Sequence, residues 1–155
     1  MKRSALALEL SRCWRELGGI LASRRLLASL GGGSGLPLTP TKLRALDVLA
    51  ESGGMRIGDL AAGMAVDETT ATRLADRLEA MGVAARERVP DDRRATLVVL
   101  TPEGERLVAD VAARRREFFR DVLEALDPDE RAELVRLTAK ATEALRVRSE
   151  ELANR

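Results

Sequence analysis

Threonine and arginine recur through one short segment of the chain, as Thr69, Thr70, Thr72, Arg73 and Arg77, directly after Asp67. Hydroxyls donate and accept hydrogen bonds, and guanidinium forks match phosphate oxygens or the O6/N7 edge of guanine. Such residues near the start of one helix suit an extended anionic partner with readable grooves, and a helix N-terminus itself attracts phosphate. A second cluster follows at Arg86, Arg88, Asp92, Arg93 and Arg94, where Pro90-Asp91-Asp92-Arg93-Arg94 makes a polar tip between two apolar runs. An arginine on such a tip fits a narrow A·T-rich minor groove, where the negative potential is strongest. A neighbouring aspartate can hold its guanidinium through a fork-like pair. The chemistry indicated is recognition of double-stranded DNA. Each cluster alone has a plainer reading: an amphipathic helix with a solvated charged face, and a turn whose charges blunt a hairpin edge.

Other chemistries are poorly served. There is no histidine and Cys13 is the single cysteine, which excludes Ser-His and Cys-His nucleophile pairs, His-ligated zinc and an internal disulfide. Gly31-Gly32-Gly33-Ser34-Gly35 lacks the preceding strand and following Lys-Ser/Thr of a phosphate loop, so it reads as a flexible break. An enzyme is not expected, and no cofactor or metal is called for. Lys and Arg number 26 against 25 Asp and Glu, so the net charge of +1 gives no bulk basic signal. DNA binding then requires charge sorted by position, and the arginines from Arg73 to Arg94 are expected to make that module basic.

The length of 155 residues fits one domain, 1–155, with a core of its own. With two Phe, one Trp and no Tyr, that core must be built from Leu, Val and Ala, which favours helices. Glu9 and Arg12 interrupt any N-terminal apolar run, and no run approaches the ~20 residues that span a bilayer, so a cytoplasmic protein with no membrane partner is expected.

The elements that must position the two clusters are punctuated clearly. Leu6, Leu10, Cys13, Leu17, Ile20 and Leu27 are spaced by threes and fours, broadened by Trp14, Leu21 and Ala28, and predict one long helix over residues 4–30. Thr39-Pro40, Thr101-Pro102 and Asp127-Pro128 each set a capping oxygen before a proline suited to the first helical position. Glu130 completes a capping box with Asp127. The spacing predicts helices from Pro40 to about Ser52, from Gly58-Asp59 to about Met64, and from Asp67 to Met81-Gly82, after a short extended piece at Met55-Arg56-Ile57. Val83–Val89 and Ala95–Thr101 predict two antiparallel strands, although Leu97 and Val99 are more apolar than a free hairpin needs. Helices from Pro102 to Leu126 and from Pro128 onward follow, and Arg114-Arg115-Arg116 reads as a solvated turn of the first of them. The terminal helices have more apolar face than the central unit can cover, and a two-fold dimer through them is the simplest remedy.

Read together, Leu38-Thr39-Pro40, Asp59-Leu60-Ala61, Thr70 to Gly82, Asp92-Arg93-Arg94, and Leu100-Thr101 with Gly104 resemble the MarR family of winged helix-turn-helix transcription regulators. The match covers roughly residues 38–107 in detail. The resemblance implies a mainly α fold with a small β-hairpin. It implies a winged helix-turn-helix DNA-binding region at 38–101 and a helical dimerisation region at 1–30 and 102–155. It further implies a recognition helix at Asp67–Met81 and a wing at Val83–Leu100, with Asp92 supporting Arg94 in the minor groove. The function expected is that of a homodimeric repressor on a pseudo-palindromic operator, released by a small aromatic or anionic effector; the alternative is a winged-helix protein–protein adaptor without DNA binding. Trp14, Arg15, Arg24 and Arg25 could face an effector cleft. Some relatives sense peroxide through a first-helix cysteine held by tyrosines. This chain has no tyrosine, and Cys13 on the apolar stripe is expected to be a buried structural thiol.

Overall fold

The computed structural model describes residues 3–32, 34–89 and 92–153, with the backbone alone for residues 3, 89, 92–95 and 153. The elements run α1 (Arg3–Leu21), α2 (Arg24–Leu30), α3 (Pro40–Ser52), α4 (Ile57–Met64), α5 (Glu68–Ala80), β1 (Ala84–Val89), β2 (Asp92–Leu100), α6 (Pro102–Glu124) and α7 (Pro128–Ala153). The fold is mainly helical with a two-stranded antiparallel hairpin. It divides into two compact units, Met1–Arg115 and Arg116–Arg155.

In the first unit, the expected single helix over 4–30 is two helices. The Ser23 hydroxyl accepts from the Leu26 N–H at 3.3 Å and starts α2 afresh. An N-capping serine sits beside Arg24, the one position where the apolar stripe fails, and the local bond prevails over the periodicity. The other boundaries follow the expected caps. Thr39 accepts from the Lys42 N–H at 3.2 Å, Gly53 ends α3 in the left-handed region at φ 68°, and Thr101 accepts from the Gly104 N–H at 3.1 Å. Ile57, expected in an extended piece, is instead the first residue of α4. Between α4 and α5 the left-handed position is held by Ala65 at φ 54°, where no glycine marks the turn.

The core of this unit is made of Leu43, Leu46 and Leu49 from α3, Leu60, Ala61 and Met64 from α4, and Ala71, Leu74, Ala75 and Leu78 from α5. Val98 of β2 and Val111 of α6 close it. Two glycines allow the layers to touch. A Cβ on Gly104 would lie 2.0 Å from the Val83 carbonyl oxygen, so only glycine lets α6 dock on the start of the wing. At Gly54, with φ 122°, a Cβ would lie 2.7 Å from Val99 Cγ1.

That second contact accounts for Val99. Met55 pairs with Val98 through two backbone hydrogen bonds of 3.0 and 2.8 Å, adding a short third edge to the hairpin, and Val99 packs over Gly54 beside it. The wing is therefore seated on the end of α3 rather than free. Its second strand begins at Asp92 instead of Ala95, because a register shift between Arg88 and Val89 extends the pairing to Val89 and Asp92.

The arginine run on α6 is also engaged more than expected. Arg115 forms a 3.0 Å ion pair with Asp47 of α3, and Arg114 lies against Gly32. In contrast, α1 is exposed along its whole described length, including Leu6, Leu10, Trp14, Leu17 and Ile20. Cys13 is exposed as well, so the expected burial of its thiol does not occur within one chain. In the second unit, Asp127 and Glu130 form the capping box, with bonds of 2.9 and 3.0 Å, and Arg131 Nε donates to the Leu123 and Leu126 carbonyls. Helix α7 leaves Leu134, Leu137, Leu145 and Leu152 exposed. Among the described residues no helix is long and apolar enough to cross a membrane.

Candidate nucleic-acid interface

Helix α5 is oriented by its four core residues, of which Ala71 and Leu78 are fully buried. The 100° step per residue then turns Thr69, Thr70, Thr72, Arg73, Asp76 and Arg77 to solvent, and all six are exposed. Its start is fixed by Asp67, which accepts from the Thr70 N–H at 2.8 Å and the Thr70 hydroxyl at 2.7 Å. The hydroxyl bond first, and then the backbone bond, hold the Asp67 carboxyl below its ordinary value. The positive end of α5 is thus answered by the protein's own carboxylate, which offsets the phosphate attraction expected there.

The three threonines are not equivalent. Thr70 spends its hydroxyl proton on Asp67, and Thr72 spends its own on the Glu68 carbonyl at 2.8 Å. Each keeps acceptor lone pairs and a methyl group, which match base-edge amino groups and the thymine methyl but offer nothing to a phosphate oxygen. Thr69 makes no hydroxyl bond among the described residues and retains a donor. Arg73 and Arg77 are exposed and form no ion pair among the described residues.

The hairpin contributes unequally. Arg88 is exposed on β1, in register with Thr96. Arg86 is not available in the same way. Its guanidinium donates to Asp76 Oδ1 at 2.6 Å and to Glu79 Oε2, both on α5. The hydrogen bond to Asp76 first, opposed by burial and then reinforced by Glu79, holds Arg86 above the ordinary guanidinium value. Asp76 and Glu79 are the residues that sequence reasoning missed. Their signal was a carboxylate pair at i, i+3 on one flank of the helix, but only the packing of β1 on α5 brings an arginine to it. At the tip, Asp92, Arg93 and Arg94 have their backbone in β2, while their side chains, and Pro90 and Asp91 altogether, lie outside the described residues.

The expectation of a basic module needs correcting. From Ile57 to Thr101 there are six arginines, Arg73, Arg77, Arg86, Arg88, Arg93 and Arg94. Against them stand eight carboxylates, at Asp59, Asp67, Glu68, Asp76, Glu79, Glu87, Asp91 and Asp92. The stretch is acidic in total. Asp67 caps α5 and Asp76 and Glu79 pair with Arg86, whereas Arg73 and Arg77 form no ion pair among the described residues.

Away from this surface, a cavity of about 540 Å³ is lined by Arg24, Leu27 and Ala28 of α2 and by Leu36, Pro37 and Leu38. Of the four residues considered for an effector cleft, Arg24 lines it; Trp14, Arg15 and Arg25 do not. No group of three or more candidate metal ligands occurs among the described residues.

Comparison with known proteins bears on this geometry. Residues 38–96 match the MarR family, the stretch from the α3 cap through most of the wing. The chain is 37% identical over 93 residues, 60% of its length, to the transcriptional regulator YsmB of Bacillus subtilis, and the match spans 64% of that relative. It is 32% identical over 107 residues to the B. subtilis transcriptional repressor MdtR, covering 69% of each chain. Among solved structures, a MarR family protein from Bacillus stearothermophilus superposes with a TM-score of 0.77 at 27% identity, over 94% of this chain and 99% of that one. A capped helix pair, an outward polar helix and a hairpin seated beside it, matched in sequence and in space, place this chain in the MarR family of winged helix-turn-helix, DNA-binding transcription regulators, which are not enzymes.

Proposed function

We propose that the protein is a cytoplasmic homodimeric repressor that reads a pseudo-palindromic operator, one half-site per chain, and is released by a small effector. The observation that carries the reading is the sorted face of α5. Arg73 and Arg77 are exposed there and form no ion pair among the described residues, beside threonines that offer methyl groups and acceptors to base edges. In this reading Thr69, Thr70, Thr72, Arg73 and Arg77 enter the major groove, and Arg88 and Arg93 serve phosphate. Arg94, held by Asp92, takes the minor-groove role that the family motif implies.

Dimer formation is supported by the unpartnered apolar faces of α1 and α7, which a second copy would cover. Residues 1–30 and 102–155 would form that dimerisation region, and the half-sites would lie about one helical turn apart. Repression is supported by the likeness to a repressor. An effector of small aromatic or anionic type suits the cavity at Arg24, whose walls are apolar apart from one cation and a few hydroxyl and backbone groups. The experiment is a salt titration of binding to random duplex, followed by selection of bound genomic fragments. Binding that weakens steeply with salt, and selected fragments sharing an inverted repeat, are expected. No duplex binding at low salt would overturn the reading in favour of a protein–protein adaptor.

A further inference from the structure

We propose that Arg86 is a positioning residue for sequence discrimination and not a phosphate contact; this rests on the DNA-binding reading above. Its guanidinium joins β1 to α5 through two carboxylates, Asp76 and Glu79, that stand one turn apart on the helix. A bidentate fork spanning two carboxylates fixes direction as well as distance. The wing and the recognition helix are therefore held as one piece, so that α5 and the hairpin tip enter their grooves in a set register. The bridge also has an electrostatic side. Asp76 and Glu79 retain 56% and 44% of their side-chain exposure, and Asp76 lies on the outward half of α5. Without Arg86 they would add two negative charges beside a phosphate backbone. The protein thus keeps two unfavourable charges on its reading surface and offsets only one of them, with an arginine that a phosphate contact would otherwise use. Such an arrangement costs affinity for DNA in general and makes sense only if the rigidity it provides serves discrimination.

The decisive variant is Asp76→Asn with Glu79→Gln, in the full chain. The substitutions are close to isosteric and at half-exposed sites, and the helical circular dichroism signal checks the fold. Two affinities are measured at one salt concentration, for a duplex selected by the wild type and for random duplex. The proposal expects opposite movements. Random duplex binds several-fold more tightly, because two carboxylates are gone and Arg86 is freed. The ratio of selected to random binding falls at least about fivefold, comparable to losing one base pair of discrimination. Arg86→Lys gives an independent arm: a lysine keeps the charge but reaches one carboxylate at a time, so random binding is kept while the ratio falls. If the double variant tightened both duplexes by the same factor, or if Arg86→Lys left the ratio unchanged, the proposal would be overturned. Wild-type protein that bound neither duplex would refute the DNA-binding reading itself, and this inference with it.

Discussion

The helices α5 and α7 both carry a clear apolar stripe, and the chain treats them in opposite ways. On α5, Ala71, Leu74, Ala75 and Leu78 are all buried, whereas on α7 Leu134, Leu137, Leu145 and Leu152 are all exposed. The difference lies in what surrounds each helix. Between α3 and the hairpin there is enough apolar surface within one chain to close over α5. Among the described residues, the large apolar side chains of the α1 stripe are likewise exposed. Periodicity reports which face of a helix is apolar; it does not report whether that face is covered by the same chain.

Leu78→Ala opens a hole in the core of the winged unit and should cost about 2–5 kcal/mol in denaturant unfolding. A cost within about 0.5 kcal/mol, the range of an ordinary surface change, would mean that α5 is not packed as described. Leu17→Asp on α1 puts a charge on the exposed stripe without touching that core. Sedimentation should show the wild type as a dimer and the variant as a folded monomer; an unchanged sedimentation coefficient would remove α1 from the interface.

Smaller effects sharpen the DNA-facing side. Arg94→Ala should weaken binding to a selected duplex by about 1–3 kcal/mol if the arginine makes a well-formed groove contact. Equal affinity for variant and wild type would withdraw the minor-groove role. The smallest effect concerns pH. Hydrogen bonds from the Thr70 hydroxyl and amide hold Asp67 below its ordinary value in the folded chain. The unfolded state therefore binds the proton more readily, so the cap stabilises the fold above the unfolded carboxylate value. Its contribution is lost as pH falls through the depressed folded value. Asp67→Asn should flatten that acid limb in a stability-versus-pH profile, and an unchanged limb would assign it to other carboxylates, such as Glu133 and Glu143, which Arg136 and Arg146 hold down in the same way.

The parts of the fold legible in the sequence were those set by local chemistry. The caps at Thr39, Asp67, Thr101 and Asp127 each accept the hydrogen bond their residue type implies, and the elements begin where they say. Ser23 carries the same signal, but the apolar stripe resumes at Leu27 after the single break at Arg24, so periodicity alone joins the two helices. Tertiary pairing was not legible. Arg115 meets Asp47 across 68 residues, and Arg86 meets carboxylates on the preceding helix only because the hairpin folds back beside it. The arginine count suggested a basic surface, whereas the stretch carries more acids than arginines and two of those acids are engaged by Arg86. Gly104 was recognisable as part of a motif, but its physical reason, the carbonyl of Val83 where a side chain would stand, is a fact of packing.

In the proposed reading the chain meets DNA through α5 and the wing while its terminal helices meet another chain. Amide hydrogen exchange with and without a selected duplex tests it directly. Added duplex should slow exchange in the first half of α5 and around the hairpin tip, residues 68–77 and 88–95, and leave α1 and α7 as they were. Protection appearing in α1 or α7 with none in α5 would contradict it.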